Sequence, residues 1–89
     1  MKLIVTQEHI DRATPDIGYK CVIAQALMDL HPGEAPRVGF YYASLYKDRV
    51  KSRSYDLGED VSHYIGKFLN EDHIDPAVFE ITPIKLYEG

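Results

Sequence analysis

Residues 46–55 concentrate the side chains of this chain that are best suited to binding an anion. Their sequence, YKDRVKSRSY, places Lys47, Arg49, Lys51 and Arg53 at every second position. The segment carries four positive charges and one negative charge, whereas the rest of the chain carries six basic and thirteen acidic groups. Guanidinium and ammonium groups donate charge-assisted hydrogen bonds to phosphate and carboxylate oxygens. The pattern therefore predicts a binding site for an anionic ligand or for an acidic patch on a partner.

Tyrosines add an aromatic component to this chemistry, because a tyrosine ring can stack on a nucleobase or pack at a protein interface. Tyr46 and Tyr55 close the segment at its two ends, and Tyr41 precedes it. Long nucleic acid fits poorly, since its binding depends on neutralising many phosphates and the sequence pI is about 5.4. The predicted ligand- or partner-binding residues are Tyr41, Tyr46, Lys47, Arg49, Lys51, Arg53 and Tyr55.

A structural explanation of the same charges stays open. Lysine and arginine side chains protect an exposed sheet edge from pairing with another chain, and residues 50–56 are predicted to form a polar strand. A fully extended segment would direct all four basic side chains to one face. A turn near Asp48 would break that row and leave Lys51 and Arg53 as the pair that shares a face.

Two other groups of residues could support catalysis or metal binding, and the sequence favours neither. Cys21 stands at the start of a predicted helix, where the helix dipole can favour the nucleophilic thiolate. However, no histidine lies in a recognisable arrangement with it, and cysteine is among the most frequently buried residues. Glu59 and His63 lie four apart on a helix, but the strong metal-binding motifs are absent. We therefore predict no catalytic residue, no metal site and no cofactor.

Size and composition indicate a small cytoplasmic domain. The chain has 89 residues and 45% hydrophobic residues, which is typical of one folded domain. Its single cysteine excludes an internal disulfide and fits a reducing compartment. The apolar run at the N-terminus is too short for a signal peptide, and no run approaches the length of a membrane span.

Hydrophobic periodicity predicts the order β-α-(α)-β-β-α-β, with a short first helix. Pro32-Gly33 ends the second helix, and a turn lies near Lys47-Asp48-Arg49. We predict an α+β fold for a single domain over 1–89, with a three- or four-stranded, mainly antiparallel sheet and helices packed on one face. The predicted strands cover 3–5, 37–46, 50–56 and 77–82, and the predicted helices cover 6–13, 19–30 and 57–69.

Short motifs along most of the chain carry a family resemblance. They are VTQEHIDRA at 5–13, CVIAQAL at 21–27, VG at 38–39, YDLGED at 55–60 and IDPAVFEI at 74–81. In these motifs the chain resembles a family of short, uncharacterised proteins encoded in phage and bacterial genomes. Val22 stands where that family has a proline, and Ala77 where it has an aromatic residue. The resemblance implies a similar fold and a phage-like context, and it carries no activity or catalytic residues.

These observations predict a small non-catalytic interaction protein that acts by binding a protein partner. A phage-encoded inhibitor of a host defence protein, located in the host cytoplasm, would fit this description. The alternative is a binder that sequesters a phosphate-bearing nucleotide or metabolite through the basic tyrosine segment. A third hypothesis is an enzyme that uses Cys21. Self-association into a homodimer through an exposed strand is a further prediction, and no membrane partner is expected.

Overall fold

The computed structural model describes residues 1–15 and 20–84, which form three helices and six strands. The predicted α+β fold is confirmed. Tyr19, the predicted first apolar position of the second helix, and part of the predicted break at 14–18 lie outside the described residues. In chain order the elements are β1 (Lys2–Val5), α1 (Gln7–Arg12), α2 (Val22–Leu30), β2 (Ala35–Val38), β3 (Tyr42–Lys47), β4 (Val50–Asp56), α3 (Gly58–Leu69), β5 (Ala77–Glu80) and β6 (Thr82–Ile84).

The strands form two antiparallel sheets where the sequence predicted one. Strands β2, β3, β4 and β6 lie side by side in that order, and β1 pairs with β5 in a separate two-stranded sheet. The division occurs at Ile81, because its backbone N–H bonds to the Met1 carbonyl at 2.8 Å while the residues after it join β4. The predicted last strand over 77–82 is therefore interrupted at this buried residue.

The strand predicted over 37–46 is a hairpin of two strands. Gly39 donates its backbone N–H to the Tyr42 carbonyl at 2.8 Å, which closes the turn between β2 and β3. A side chain at this position would place its Cβ 3.3 Å from the same carbonyl oxygen. A glycine inside a strand pattern is a signal for such a bend. The hairpin lays Arg37 beside Ser44 of β3.

The four-stranded sheet buries one face and exposes the other. Its inward-facing residues join side chains of α2 and α3 in the hydrophobic core: Val38, Ala43, Leu45 and Tyr55 from the strands, with Ile23, Leu27, Val61 and Ile65 from the helices. Alternate residues lie on the other face, where Arg37, Tyr42 and Lys51 are exposed and Ser44 and Tyr46 are half-buried. We call this second surface the open face. None of the described helices has the length and apolar composition needed to cross a membrane.

The turn between β3 and β4 lies at Asp48-Arg49, as predicted, and both residues have positive φ, at 52° and 67°. Positive φ at both central residues is the geometry of the two-residue turn that suits a twisted hairpin, and asparagine or aspartate followed by glycine is preferred there. Arg49 therefore occupies a position where a side chain is unfavourable by roughly 1–2 kcal/mol.

Replacing Arg49 with glycine should raise the free energy of unfolding by about 1 kcal/mol, because the strain is removed and only part of the gain is offset by the greater freedom of glycine in the unfolded chain. Urea denaturation of the two proteins would measure the difference. Lys51→Gly is the matched control, since it also removes one positive charge but lies in an extended strand, and it should lower stability. A lower stability for Arg49→Gly would contradict this account of the turn.

Candidate anion-binding site

A β-bulge in β4 separates two of the predicted binding residues. Arg53 lies opposite Leu45 of β3, whereas Lys51 lies opposite Tyr46, so that Ser52 is the extra residue. Successive residues of β3 point to opposite faces of the sheet. Lys51 therefore belongs to the open face with Tyr46, and Arg53 lies on the other side with Leu45. The prediction that Lys51 and Arg53 share a face is wrong, because alternation along β4 does not survive the bulge.

Arg53 is held in an ion pair with Glu34. The Arg53 Nε lies 3.1 Å from Glu34 Oε1, and the Ser52 hydroxyl donates to the same oxygen. The Glu34 side chain is only 10% exposed. Hydrogen bonding from Ser52, aided by the charge of Arg53, holds the pKa of the Glu34 carboxyl below its usual value. Arg53 is thus already neutralised, and it is a poor candidate for binding a ligand.

The three tyrosines predicted as one group occupy three different environments. Tyr55 is 2% exposed, and its hydroxyl lies 2.6 Å from His31 Nε2, whose ring stacks on it at a centroid distance of 5.8 Å. Burial lowers the pKa of His31. Tyr41 is 54% exposed in the turn between β2 and β3, at the end of the hairpin opposite Arg49. Of the three, only Tyr46 lies on the open face beside Lys51. Tyr55 is a core residue on the side of Arg53, and Tyr41 belongs to another surface.

An open pocket lies where β2, β3 and the β3–β4 turn meet, and its volume is about 470 Å³. It brings together Tyr46 and Arg49 from the predicted set with Arg37, which the sequence pattern did not indicate. Arg37 was missed because a continuous strand over 37–46 would have kept it far from the turn. Gly39 was the available signal that the chain folds back. The lining residues are Gly33, Ala35, Pro36, Arg37, Tyr46, Asp48 and Arg49.

Within residues 1–15 and 20–84, the lining of the pocket has an excess of positive charge. Among the residues that the structure describes, Arg37, Lys47, Arg49 and Lys51 form no salt bridge. Asp48 is the single carboxylate in the lining. Lys51 stands across from Tyr46, while Lys47 lies at the end of β3 on the face opposite Tyr46. Two guanidinium groups and one aromatic ring therefore line a pocket that attracts anions.

The explanation that the basic residues protect a sheet edge does not apply to the second half of β4. Strand β6 pairs with Ser54, Tyr55 and Asp56, so this half lies inside the sheet. The half that carries Lys51 and Arg53 has β3 on one side and, within residues 1–15 and 20–84, no strand on the other. Protection of an edge therefore remains an alternative for Lys51, whereas Arg53 is explained by Glu34.

A second polar cluster joins α1 to α2. Thr6 Oγ1 accepts the His9 backbone N–H at 3.3 Å, and His9 Nδ1 accepts the Thr6 backbone N–H at 3.0 Å. Because Nδ1 accepts, the ring proton of neutral His9 is on Nε2, which donates to Asp29 Oδ2 at 2.5 Å. This hydrogen bond lowers the pKa of the Asp29 carboxyl. His9 is buried and uses both ring nitrogens, so the cluster is structural.

The other residues considered for chemistry are placed as follows. Cys21 is fully buried at the N-cap of α2, where its Sγ accepts the Ala24 backbone N–H at 3.4 Å. Glu59 and His63 are exposed on α3. No group of three or more histidine, cysteine, aspartate or glutamate side chains suited to a metal ion occurs in the described part of the chain. None of these residues contributes to the pocket.

No family model, curated protein or solved structure matches the chain. The resemblance to short phage and bacterial proteins therefore stays a prediction. A functional proposal has to rest on the geometry and charge of the pocket.

Proposed function

We propose that this protein is a non-catalytic binding protein whose ligand is a small phosphate-bearing molecule of nucleotide size. The observation that carries the proposal is the pair of guanidinium groups, Arg37 and Arg49, that line one pocket without a salt-bridge partner among the described residues. The volume of this pocket, about 470 Å³, falls within the range of small-molecule sites. Binding would sequester the ligand.

The lining residues have complementary roles in this proposal. The guanidinium groups donate paired hydrogen bonds to phosphate oxygens, and each charge-assisted bond contributes roughly 1.5–3 kcal/mol. The ring of Tyr46 offers a flat surface to a nucleobase. Ala35 and Pro36 supply an apolar wall, and the carboxylate of Asp48 repels a second anion. The ligand class that satisfies all four features is a nucleotide.

The same lining favours binding over catalysis. The seven residues that line the pocket include one carboxylate, Asp48, and no histidine or cysteine. Covalent or acid–base catalysis uses a nucleophile and a positioned base. In the lining, Asp48 and the hydroxyl of Tyr46 are the groups that could take such roles, and the arginines are permanently charged donors.

Thermal melting against a panel of ligands tests the proposal. Nucleoside mono-, di- and triphosphates, pyrophosphate and phosphate-free nucleosides would each be added to the purified protein. A nucleotide present at about 100 times its dissociation constant stabilises the fold by about 2.7 kcal/mol, which raises the Tm of a domain this small by about 10 °C or more. Nucleosides should have little effect. If no phosphate compound raises the Tm at millimolar concentration, the proposal fails.

A protein partner is the second candidate function, and it rests on a different surface. Phe40, Tyr41 and Tyr42 are consecutive in the chain and are 44%, 54% and 60% exposed. Exposed aromatic residues are enriched in the central contacts of protein interfaces. For a phage-encoded inhibitor, this aromatic tip would contact the host protein. A partner that the Phe40→Ser/Tyr41→Ser variant still binds as well as wild type would rule out this surface.

A further inference from the structure

The open face continues the pocket with a second aromatic ring. Tyr42 and Tyr46 lie on the same strand four residues apart, so both point to the open face. Their Cα atoms are separated by about 13 Å at the usual rise of a strand. At the duplex spacing of about 3.4 Å per nucleotide, this distance corresponds to about four steps, which join about five nucleotides, and a more extended strand covers it with fewer.

Cations flank the two rings on neighbouring strands. Arg37 lies opposite Ser44 of β3, between the rings, and Lys51 lies opposite Tyr46. Neither has a salt-bridge partner among the described residues. Between the rings, Ser44 and Ser54 are joined by a hydrogen bond of 3.1 Å, so the floor is flat and polar. Aromatic rings that stack on bases beside cations that follow the backbone are the common features of sequence-tolerant single-strand binding.

The positive region ends at Tyr42. Asp56 lies opposite this residue, and its Oδ1 accepts the Gly58 backbone N–H at 3.1 Å. The strand position paired with Tyr42 therefore holds a carboxylate and not a cation, which disfavours a phosphate there and limits the length of a bound strand. The acidic remainder of the chain opposes a longer nucleic acid for the same reason.

We infer that the open face binds a short single-stranded oligonucleotide of about three to five nucleotides, with one base on Tyr46 and another on Tyr42. This inference rests on the proposed function, because the phosphate site between Arg37 and Arg49 anchors one end of the strand. A protein occupant is disfavoured for this surface, since its centre carries cations and serines, and the apolar side chains lie at its edges.

Fluorescence anisotropy competition with thymidine monophosphate and thymidylate oligomers of two, four and eight nucleotides tests the inference. The tetramer should bind at least about fivefold more tightly than the monophosphate, since stacking of a second base adds that much or more. The affinity for the octamer should be only slightly higher than the affinity for the tetramer. Because three cations contact the strand, log K for the tetramer should fall against log salt with a slope of about −2.

Tyr42→Ala is the decisive variant. The affinity for the tetramer should fall about 5- to 100-fold, because the stacking of one base is lost. The affinity for the monophosphate should not change, because Tyr42 is outside the pocket. Tyr42→Phe keeps the ring and should bind as wild type, and Tyr41→Ala is the neighbouring control that should not change either affinity. Two results would overturn the inference: equal affinities for the monophosphate and the tetramer, or an affinity for the tetramer that Tyr42→Ala does not change. Neither result would contradict the proposed phosphate site in the pocket. Absence of binding by every phosphate compound would overturn the proposed function as well.

Discussion

Replacing Arg37 and Arg49 together with glutamine is expected to weaken the binding of a nucleoside triphosphate by at least 100-fold. Both guanidinium groups line the pocket and have no salt-bridge partner in the described part of the chain. Losing two charge-assisted contacts costs roughly 3–6 kcal/mol, and each 1.4 kcal/mol is a factor of about ten in the dissociation constant. Isothermal titration calorimetry of the two proteins measures the change.

The control must separate the pocket from the overall charge. The control variant Lys20→Gln/Lys67→Gln also removes two positive charges, but from exposed positions outside the pocket. It should reduce the affinity only slightly, through the weak long-range field that salt screens. If the control weakens binding as much as the arginine variant does, the attraction comes from net charge and no site exists between Arg37 and Arg49.

Glu34→Gln is expected to lower the free energy of unfolding by about 2 kcal/mol, because it removes a nearly buried charge that accepts hydrogen bonds from Arg53 and Ser52. Urea denaturation at pH 7 measures this loss. Glu59→Gln is the matched control, since Glu59 is exposed and forms no salt bridge among the described residues, and its effect should stay within about 0.5 kcal/mol.

The difference between wild type and Glu34→Gln should depend on pH. The folded protein holds the pKa of Glu34 below its usual value of 4.5, so the charged form stabilises the fold above that value. This stabilisation is lost as the pH falls from about 4.5 through the lowered pKa of the folded state. The two stability curves should therefore converge in acid. A constant difference from pH 7 down to acid denaturation would show that the charge of Glu34 does not stabilise the hairpin.

Arg53→Gln tests whether Arg53 contributes to stability or to ligand binding. Arg53 should matter for stability, because it pairs with Glu34, and its loss should leave the affinity for a nucleotide unchanged. A large loss of affinity in Arg53→Gln would restore the sequence-based assignment of this residue to the binding site.

The elements with strong local signals could be predicted from the sequence. The predicted strand over 50–56 has the bounds of β4, and the apolar periodicity over 57–69 predicted α3, which begins one residue later. The turn near Asp48 could also be located, because the polar residues there separate two strand patterns. These features depend on neighbours in the chain, which is why periodicity revealed them.

The composition of the site depended on contacts between distant residues. Glu34 neutralises Arg53 from 19 positions away, and His31 binds the hydroxyl of Tyr55 from 24 positions away. No local pattern indicates such pairs. The bulge at Ser52 had a comparable effect, because one extra residue reverses the face of every side chain on one side of it.

The division into two sheets was beyond local reasoning for a similar cause. Val78 and Phe79 alternate as in one strand with the residues after Ile81, yet β5 pairs with β1 and β6 pairs with β4. Which strand lies beside which is decided by packing over the whole domain. Arg37 lies in the pocket because β2 folds back on β3 at the turn that the Gly39 N–H closes.

Mapping the amide chemical shifts of the protein during titration with ATP would locate the phosphate-binding pocket residue by residue. We expect the largest shifts, and saturable ones, at Arg37, Tyr46 and Arg49, with small changes at Tyr41 and at the buried Tyr55. Saturable shifts centred on the aromatic tip or on α3, or no saturable shift at millimolar ATP, would contradict the assignment of a phosphate-binding pocket to this hairpin.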